Sequence, residues 1–433
     1  MSTIYVHGLG YIGLPTAAMF ANYDHEVTGY DIDEAIIEGL DNGDVHIDEP
    51  GLRAFVTQAL ESGNLTVSNE VGEAKYHIIA VPTPFDDETK EPTLDYVEAA
   101  GEAIAPHLRT GDTVILESTV PPGTTVETLQ PALEQSGLDA GADFALVHCP
   151  ETVLPGDIIT ELKQNDRIIG GVNGVSTEAA VRLYKSFVEG EIYTTENATT
   201  AEFVKLIQNT YRDVNIALAN ELALIGEDYD IDSREAIEMA NTHPRVELHQ
   251  PGPGVGGHCL PIDPWFLGHD SDQLDLISTA RAINDGMAGY IVDILREELG
   301  TLDGKQIALF GVAYKGNVGD IRESPALDLA TELQQAVAEP PEATADGGIQ
   351  SDSGGVDVRL HDPHVDDQVL DLVGFEAAVG SADAVVITTD HDEFAELDPE
   401  KLRESMTGDL VVDTKDMLPE REWISEGFSL RRI

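Results

Sequence analysis

Along the first 190 residues, short apolar runs alternate with longer segments of helical period. TIYVHG, EVTGYD, YHIIAV, DTVILES and FALVHC are short, and most of their positions are apolar. They read as strands buried on both faces. Helical segments between successive strands imply a parallel α/β sheet. The pattern changes from about Asn197 to Glu227, where ATTAEFVKLIQNTYRDVNIALANELALIGE holds no proline, and no glycine until its end. That stretch predicts one helix of about 45 Å. More helical sequence follows to about Gly300. After Gly304 the alternation restarts with KQIALFG, VDVRLHD, DAVVITT and DLVVDT, and GSADAVVITTDHDEF echoes GEAKYHIIAVPTPFD from the first half. The predicted fold class is therefore α/β. Two doubly wound domains, 1–195 and 301–433, flank a central helical domain, 196–300, suited to an oligomer interface. The acidic, low-complexity stretch 336–355 reads as a surface loop of the third domain.

Charge narrows the partners. The 433 residues include 24 basic and 81 acidic side chains, a net charge of −57. Such a surface repels nucleic acid and anionic membranes, so neither is expected as a partner. A hydrophobic content of 42% and the periodic segments argue against disorder. The acid is spread along the chain, as on a halophile-type surface whose self-repulsion is screened by concentrated salt. No basic leader precedes the first apolar run, and no stretch approaches the ~18 apolar residues of a membrane span, so a cytoplasmic location is expected. In a reducing compartment, Cys149 and Cys259 are not expected to form a disulfide.

A candidate nucleotide site opens the chain. Gly8, Gly10 and Gly13, with Tyr11 and Ile12 between them, form G-x-G-x-x-G after a predicted strand and before a predicted helix. The glycines permit a tight turn and let a pyrophosphate approach the helix N-terminus. Asp31 follows 18 residues after Gly13 at a strand end. A carboxylate there accepts from a ribose 2′-hydroxyl and repels a 2′-phosphate, which favours NAD. Two later strand ends face the same crevice. One carries Thr83 in VPTPF and the other carries Thr119 in ESTVPPGTTVE, where Thr124 to Glu127 reads as a capping box. These proline turns are either structural or in contact with the nicotinamide half.

Lys205, Asn209 and Arg212 fall at i, i+4 and i+7 on the long helix and share a face. The stripe is either a solvated face or a set of polar catalytic groups. A lysine against an apolar wall loses its proton more readily and can act as acid or base. PGPGVGGHCLPIDPW then places Cys259 behind a run of glycines. No Cys-x-x-Cys or His-x-x-x-His spacing lies nearby, so no metal is expected. A buried filler remains open, but a nucleophile beside a dinucleotide fold fits best. A thiolate traps an aldehyde as a thiohemiacetal, hydride loss gives a thioester, and water releases an acid.

GLGYIGLPTA, STVPPGTT, CPETVLPG, AEFVKLIQNTYRDVNIALANEL, PGPGVGGHC and GVAYKGNVGDIRESPA occur in order over essentially the whole chain. Together they resemble the UDP-glucose/GDP-mannose 6-dehydrogenase family. The resemblance implies an NAD-binding Rossmann domain, a homodimer formed through the central helical domain, and a C-terminal Rossmann-like domain for the UDP-sugar. It also implies four-electron oxidation of the sugar C6 alcohol to a carboxylate, with two NAD per sugar. Cys259 is then the nucleophile and Lys205 the acid/base, helped by Asn209. Asp263 positions water or Lys205, and Glu151 acts as a base or water-orienting group with Thr119 beside it. Thr152, Val153, Gly256, Arg212, Tyr314, Lys315 and Lys415 fall among the substrate contacts, and Arg322 reaches cofactor phosphate. NTHPRVELHQPGPGVGGHC, NDRIIGG and DPWF resemble the UDP-N-acetyl-D-mannosamine branch, which makes His243 and Arg245 substrate contacts. Ile262 replaces the lysine of the glucose branch's GGSCFPKD, and Thr152 stands where mannosamine enzymes carry Arg. UDP-glucose or UDP-N-acetylglucosamine oxidation, or a catalytically silent nucleotide-sugar binder, are the competing readings.

Overall fold

The computed structural model describes residues 1–336 and 355–433, so the acidic stretch 336–355 lies outside the described residues except for its two ends. The apolar runs form strands. In chain order these are β1 (Thr3–His7), β2 (Glu26–Tyr30), β3 (Leu65–Ser68), β4 (Tyr76–Ile79), a small hairpin of β5 (Phe85–Asp86) and β6 (Glu91–Pro92), β7 (Thr113–Leu116), β8 (Ala145–His148), β9 (Arg167–Gly171) and β10 (Ile192–Thr194). The second set is β11 (Gln306–Phe310), β12 (Asp357–His361), β13 (Ala384–Ile387), β14 (Leu410–Asp413) and β15 (Ser429–Arg432).

Two units are compact: Met1–Gln208 with Trp265–Asp272, and Asn209–Pro264 with Gln273–Ile433. The first unit holds an eight-stranded sheet of order β10-β9-β8-β7-β4-β1-β2-β3. Its strand order reverses between β1 and β4, where an open α/β sheet leaves a crevice at the strand carboxyl ends. Apolar residues of successive positions face opposite cores: Ile115 of β7 packs with Ile4 and Val6, while Val114 and Leu116 pack with Leu129 and Phe144. The expectation of a wholly parallel sheet needs correction, because β9 runs antiparallel to β8, Val147 opposite Gly171. Between them the only helix is Ile158–Gln164, seven residues or about 10 Å, too short to carry the chain back across a sheet face. Three strands of this sheet, β3, β9 and β10, are not evident in the apolar pattern, nor are β5, β6 and β15 elsewhere, because each is short or carries polar residues.

The second unit holds a five-stranded parallel sheet, β12-β11-β13-β14-β15. This is the other doubly wound strand order, with its reversal at β11 and β13. Ile307 and Leu309 face one core, Ala308 and Phe310 the other. The long helix spans Ala198–Asp228, 31 residues, one residue from the boundaries that the sequence predicts. No described helix is long and apolar enough to cross a membrane.

Candidate active site

In the first unit the glycine turn is forced by packing at two positions and open at a third. Gly8 has φ +90°, and a Cβ there would lie 2.6 Å from the Ala80 carbonyl oxygen. A Cβ on Gly13 would lie 1.8 Å from the Gly8 oxygen. A Cβ on Gly10 would meet no protein atom within 4 Å, so its smallness leaves room for something other than the protein. The helix Gly13–Asn22 starts with Ile12 at its N-cap and no side-chain cap, leaving main-chain N–H groups for an anion. Asp31, just beyond β2, accepts from Leu9 N through Oδ2 (2.7 Å) and from Asp33 N through Oδ1 (2.9 Å). Each oxygen keeps a lone pair for a ribose hydroxyl. These features fit NAD. Tyr11 donates its hydroxyl to Glu49, which also accepts from Gly156 N at 3.1 Å, tying the glycine turn to the 151–157 loop.

The two threonine turns meet: Thr83 Oγ1 donates to the Thr119 carbonyl at 2.8 Å, and Ser118 Oγ to the Val81 carbonyl at 2.7 Å. The capping box expected at Thr124–Glu127 does not form. Thr124 is already helical (φ −55°, ψ −40°), so its hydroxyl turns back to the Pro121 carbonyl (2.7 Å). The buried Glu202 on the long helix caps the turn instead. It accepts from Gly123 N (2.6 Å), Thr125 N (2.8 Å) and the Thr125 hydroxyl (2.5 Å). Lys205 sits one turn further along that helix and is buried.

Glu151 is also buried. Its Oε2 pairs with Arg167 Nη1 at 2.5 Å, and its Oε1 accepts from Thr152 N at 2.7 Å. Val153 packs on the core of the unit. Arg167, at the start of β9, donates its Nη2 to the Leu162 carbonyl (3.1 Å) and lies over the Tyr184 ring. The Tyr184 hydroxyl donates to Glu117 at 2.5 Å. Burial, then the Glu151 carboxylate, push Glu117 up to about 7, against the pull of Arg167. Sequence reasoning missed Arg167, Tyr184, Glu117, Glu202 and Glu49. For Glu117 and Arg167 the signal was a charged residue at the edge of an apolar run, in ES just after β7 and RIIGG in β9.

In the second unit, Asn209 Nδ2 donates to Asp263 Oδ2 at 2.6 Å, and both are buried. Asp263 N in turn bonds the Cys259 carbonyl at 2.8 Å, so one turn of backbone links Cys259 and this carboxylate. The structure thus brings Asn209, Asp263 and Cys259 together. Cys259 is an exposed thiol; Cys149 is a buried one, pushed up to about 12 mainly by burial, and no disulfide joins them. Gly257 (φ +88°) lies against the Tyr314 ring, where a Cβ would come to 2.8 Å, and Gly256 is needed by the Glu323 oxygen 2.3 Å from its Cβ position. Burial raises the Tyr314 phenol to about 12, with Asp320 and Cys259 adding to it. Arg322 is exposed and gripped by Asp320 through Nε (3.0 Å) and Nη2 (2.5 Å). Lys315, His243 and Arg245 are exposed, and Arg212 is half-buried. Burial lowers the Lys415 ammonium, and its Nζ stands 4.0 Å from the Cβ position of Gly252.

His364, His391 and Glu393 bring ligand-type atoms within 4.8 Å of one another. His391 has no nitrogen to offer a metal: Nδ1 accepts from Asn317 N (2.9 Å), and Nε2 donates to Asp362 (3.0 Å).

The chain matches the NAD binding domain of the UDP-glucose/GDP-mannose dehydrogenase family over 2–188, its central domain over 199–286 and its UDP binding domain over 308–420. It is 41% identical over 438 residues to the UDP-N-acetyl-D-mannosamine dehydrogenase of Methanococcus maripaludis strain C7, covering 99% of this chain and 96% of that one. A solved UDP-D-ManNAc dehydrogenase of Pyrococcus horikoshii superposes with a TM-score of 0.89 at 41% identity, covering 100% of this chain and 99% of that one. An NDP-N-acetyl-D-galactosaminuronic acid dehydrogenase of Ralstonia nicotianae is 42% identical over 429 residues, 96% of each chain. The chain belongs to the UDP-glucose/GDP-mannose dehydrogenase family. It is an NAD-dependent nucleotide-sugar dehydrogenase built as two doubly wound sheets with a helical region between them in sequence.

Proposed function

We propose that this enzyme oxidises UDP-N-acetyl-D-mannosamine to UDP-N-acetyl-D-mannosaminuronate. The supporting observation is the Asn209–Asp263–Cys259 cluster, carried by a chain alike end to end to enzymes of that name. Bound NAD supplies the hydride acceptor for both two-electron oxidations. The Cys259 thiolate adds to the C6 aldehyde carbon, and Lys205 returns a proton to the oxygen of the thiohemiacetal. After the second oxidation, water adds to the thioester carbon and the thiolate leaves, giving the carboxylic acid. Asp263 positions water or Lys205, and Asn209 assists Lys205. Glu151, fixed by Arg167, acts as a base or water-orienting group, with Thr119 helping to hold that water. Arg212, Gly256, Tyr314, Lys315, His243, Arg245 and Lys415 act in UDP-sugar binding, with Thr152 and Val153 from the 151–157 loop. Gly8, Gly10, Tyr11, Ile12, Gly13, Asp31, Thr83 and Arg322 act toward the cofactor.

The decisive experiment incubates the protein and Cys259→Ser with NAD and UDP-glucose, UDP-N-acetylglucosamine or UDP-N-acetylmannosamine in concentrated KCl. Two NADH per N-acetylmannosamine consumed, with acid formation down on the order of 10³-fold or more in the variant, is the expected result. Preference for another sugar refutes the substrate, and acid formation unimpaired in Cys259→Ser refutes the thioester route.

Tyr211, Leu218 and Ile225 recur every seven residues on the long helix and are 50%, 44% and 46% exposed. This stripe supports a homodimer through the central helical region, tested by light scattering of Leu218→Glu, which should be monomeric. The net charge of −57 supports a salt-requiring enzyme whose melting temperature falls when KCl is removed.

A further inference from the structure

The loop that carries Cys259 is gripped at its first peptide by two side chains from different helices. Arg234 lies in the helix Ser233–Asn241, just after its Asp232 N-cap. It donates Nη2 to the Pro251 carbonyl (2.7 Å) and the Thr414 carbonyl (2.8 Å), and Nε to the main-chain oxygen of Ile433 (2.8 Å). Its fork is thus spent on three main-chain oxygens, in a chain with acid to spare. The other side of the same peptide, Gly252 N, donates to Asn220 Oδ1 at 2.8 Å. Asn220 is fully buried, and its own amide is oriented by a directional chain. Asn220 Nδ2 donates to Asn284 Oδ1 (2.9 Å), Asn284 Nδ2 to Asp213 Oδ1 (2.9 Å), and Arg281 Nη1 to the same Asp213 oxygen (2.7 Å). Every amide in that chain has its oxygen and nitrogen determined by the next, so Gly252 meets an acceptor rather than a donor. Further along the loop, Gly257 N is held by the Arg322 carbonyl at 2.9 Å.

Thr414 is the neighbour of Lys415, whose Nζ stands over Gly252. One guanidinium therefore joins the start of the Cys259 loop to the end of β14. We infer that the Pro251–Gly252 peptide, clamped on its carbonyl by Arg234 and on its N–H by Asn220, is the anchor that sets Cys259 and Lys415 in register, making Arg234 and Asn220 positioning residues for capture of the UDP-sugar. The inference rests on the reading of Cys259 as nucleophile in the sugar site. Lysine is not a substitute at position 234, since a single ammonium does not reproduce a planar fork aimed at three oxygens.

The test alkylates Cys259 with iodoacetamide in the full chain, at high salt, against increasing UDP-N-acetylmannosamine. Cys149 is buried and stays silent. In Arg234→Lys and, from the other side of the peptide, Asn220→Ala, the concentration giving half protection rises about tenfold while the NAD dissociation constant stays within about twofold. Protection unchanged in both variants overturns the inference. So does NAD binding weakened by the same factor, which marks general loss of structure. If the sugar does not shield Cys259 in the wild type, the functional reading falls instead. The anchor is then judged on the ligand-free alkylation rate: a change of threefold or more in both variants supports it, and an unchanged rate overturns it.

Discussion

The two sheets repeat one device and use it oppositely. In each, the first strand is followed directly by a glycine with positive φ, Gly8 at +90° and Gly311 at +94°. In each, an aspartate beyond the second strand caps the following turn: Asp31 takes Leu9 N, and Asp362 takes Val312 N (2.6 Å) and Ala313 N (3.0 Å). There the likeness stops. Asp31 makes one further main-chain bond and keeps acceptor capacity, and the helix behind its turn has an uncapped N-terminus. Asp362 is buried and also takes His364 N, Val365 N and His391 Nε2. The helix Pro325–Gln335 of its sheet is capped by Ser324. One aspartate is left able to bind a ligand; the other is fully engaged in holding its own turn. A Rossmann-type frame becomes a dinucleotide site only where its polar groups are not already satisfied by the protein.

The largest effect expected from this contrast is in the second sheet. Asp362→Ala leaves four main-chain N–H groups and a buried imidazole without an acceptor, and should lower unfolding free energy by about 3–5 kcal/mol in urea titrations. Loss of NAD binding without loss of stability would break the contrast. The pH dependence should have opposite signs in the two sheets. Burial raises Asp362, but bonds from His391 and the main chain outweigh it and hold the carboxyl well below its usual range. Its contribution is therefore present above about pH 4 and lost as pH falls further. Glu117 in the first unit is raised to about 7, so its burial costs stability as pH climbs from about 4.5 to 7. Glu117→Gln should remove that loss, a relative gain on the order of 3 kcal/mol at pH 8 over pH 4.5. An unchanged pH profile would place Glu117 outside the titration.

Smaller effects probe the ligand side. Gly10→Ala meets no protein atom, so melting should be unaltered while NAD affinity, read by fluorescence titration, falls about tenfold to a hundredfold. Ser324→Ala should cost about 1 kcal/mol of stability and leave NAD binding alone, because that N-terminus serves the fold.

Much of this molecule is determined by local sequence. Apolar runs of strand length, buried on both faces, announce the two sheets and most of their parallel pairs, since period and burial are written in neighbouring residues. The long helix follows in the same way from an unbroken helical period. The glycine turn, Asp31, the Lys205–Asn209–Arg212 face and the Cys259–Asp263 spacing are likewise readable, because each is marked by residue types at short, fixed spacings in the chain. Tertiary structure alone decided which polar groups are satisfied. It set β9 antiparallel to β8, gave Glu202 the capping role that Thr124 does not fill, and paired Glu151 with a buried Arg167. It also placed Arg234 and Asn220 on the two sides of one peptide. Those partners are separated by 16 to 79 residues in sequence, and no local period encodes such distances. They follow from the packing of the elements, and the cost of leaving a buried donor or acceptor without a partner fixes the pairs once the elements have met.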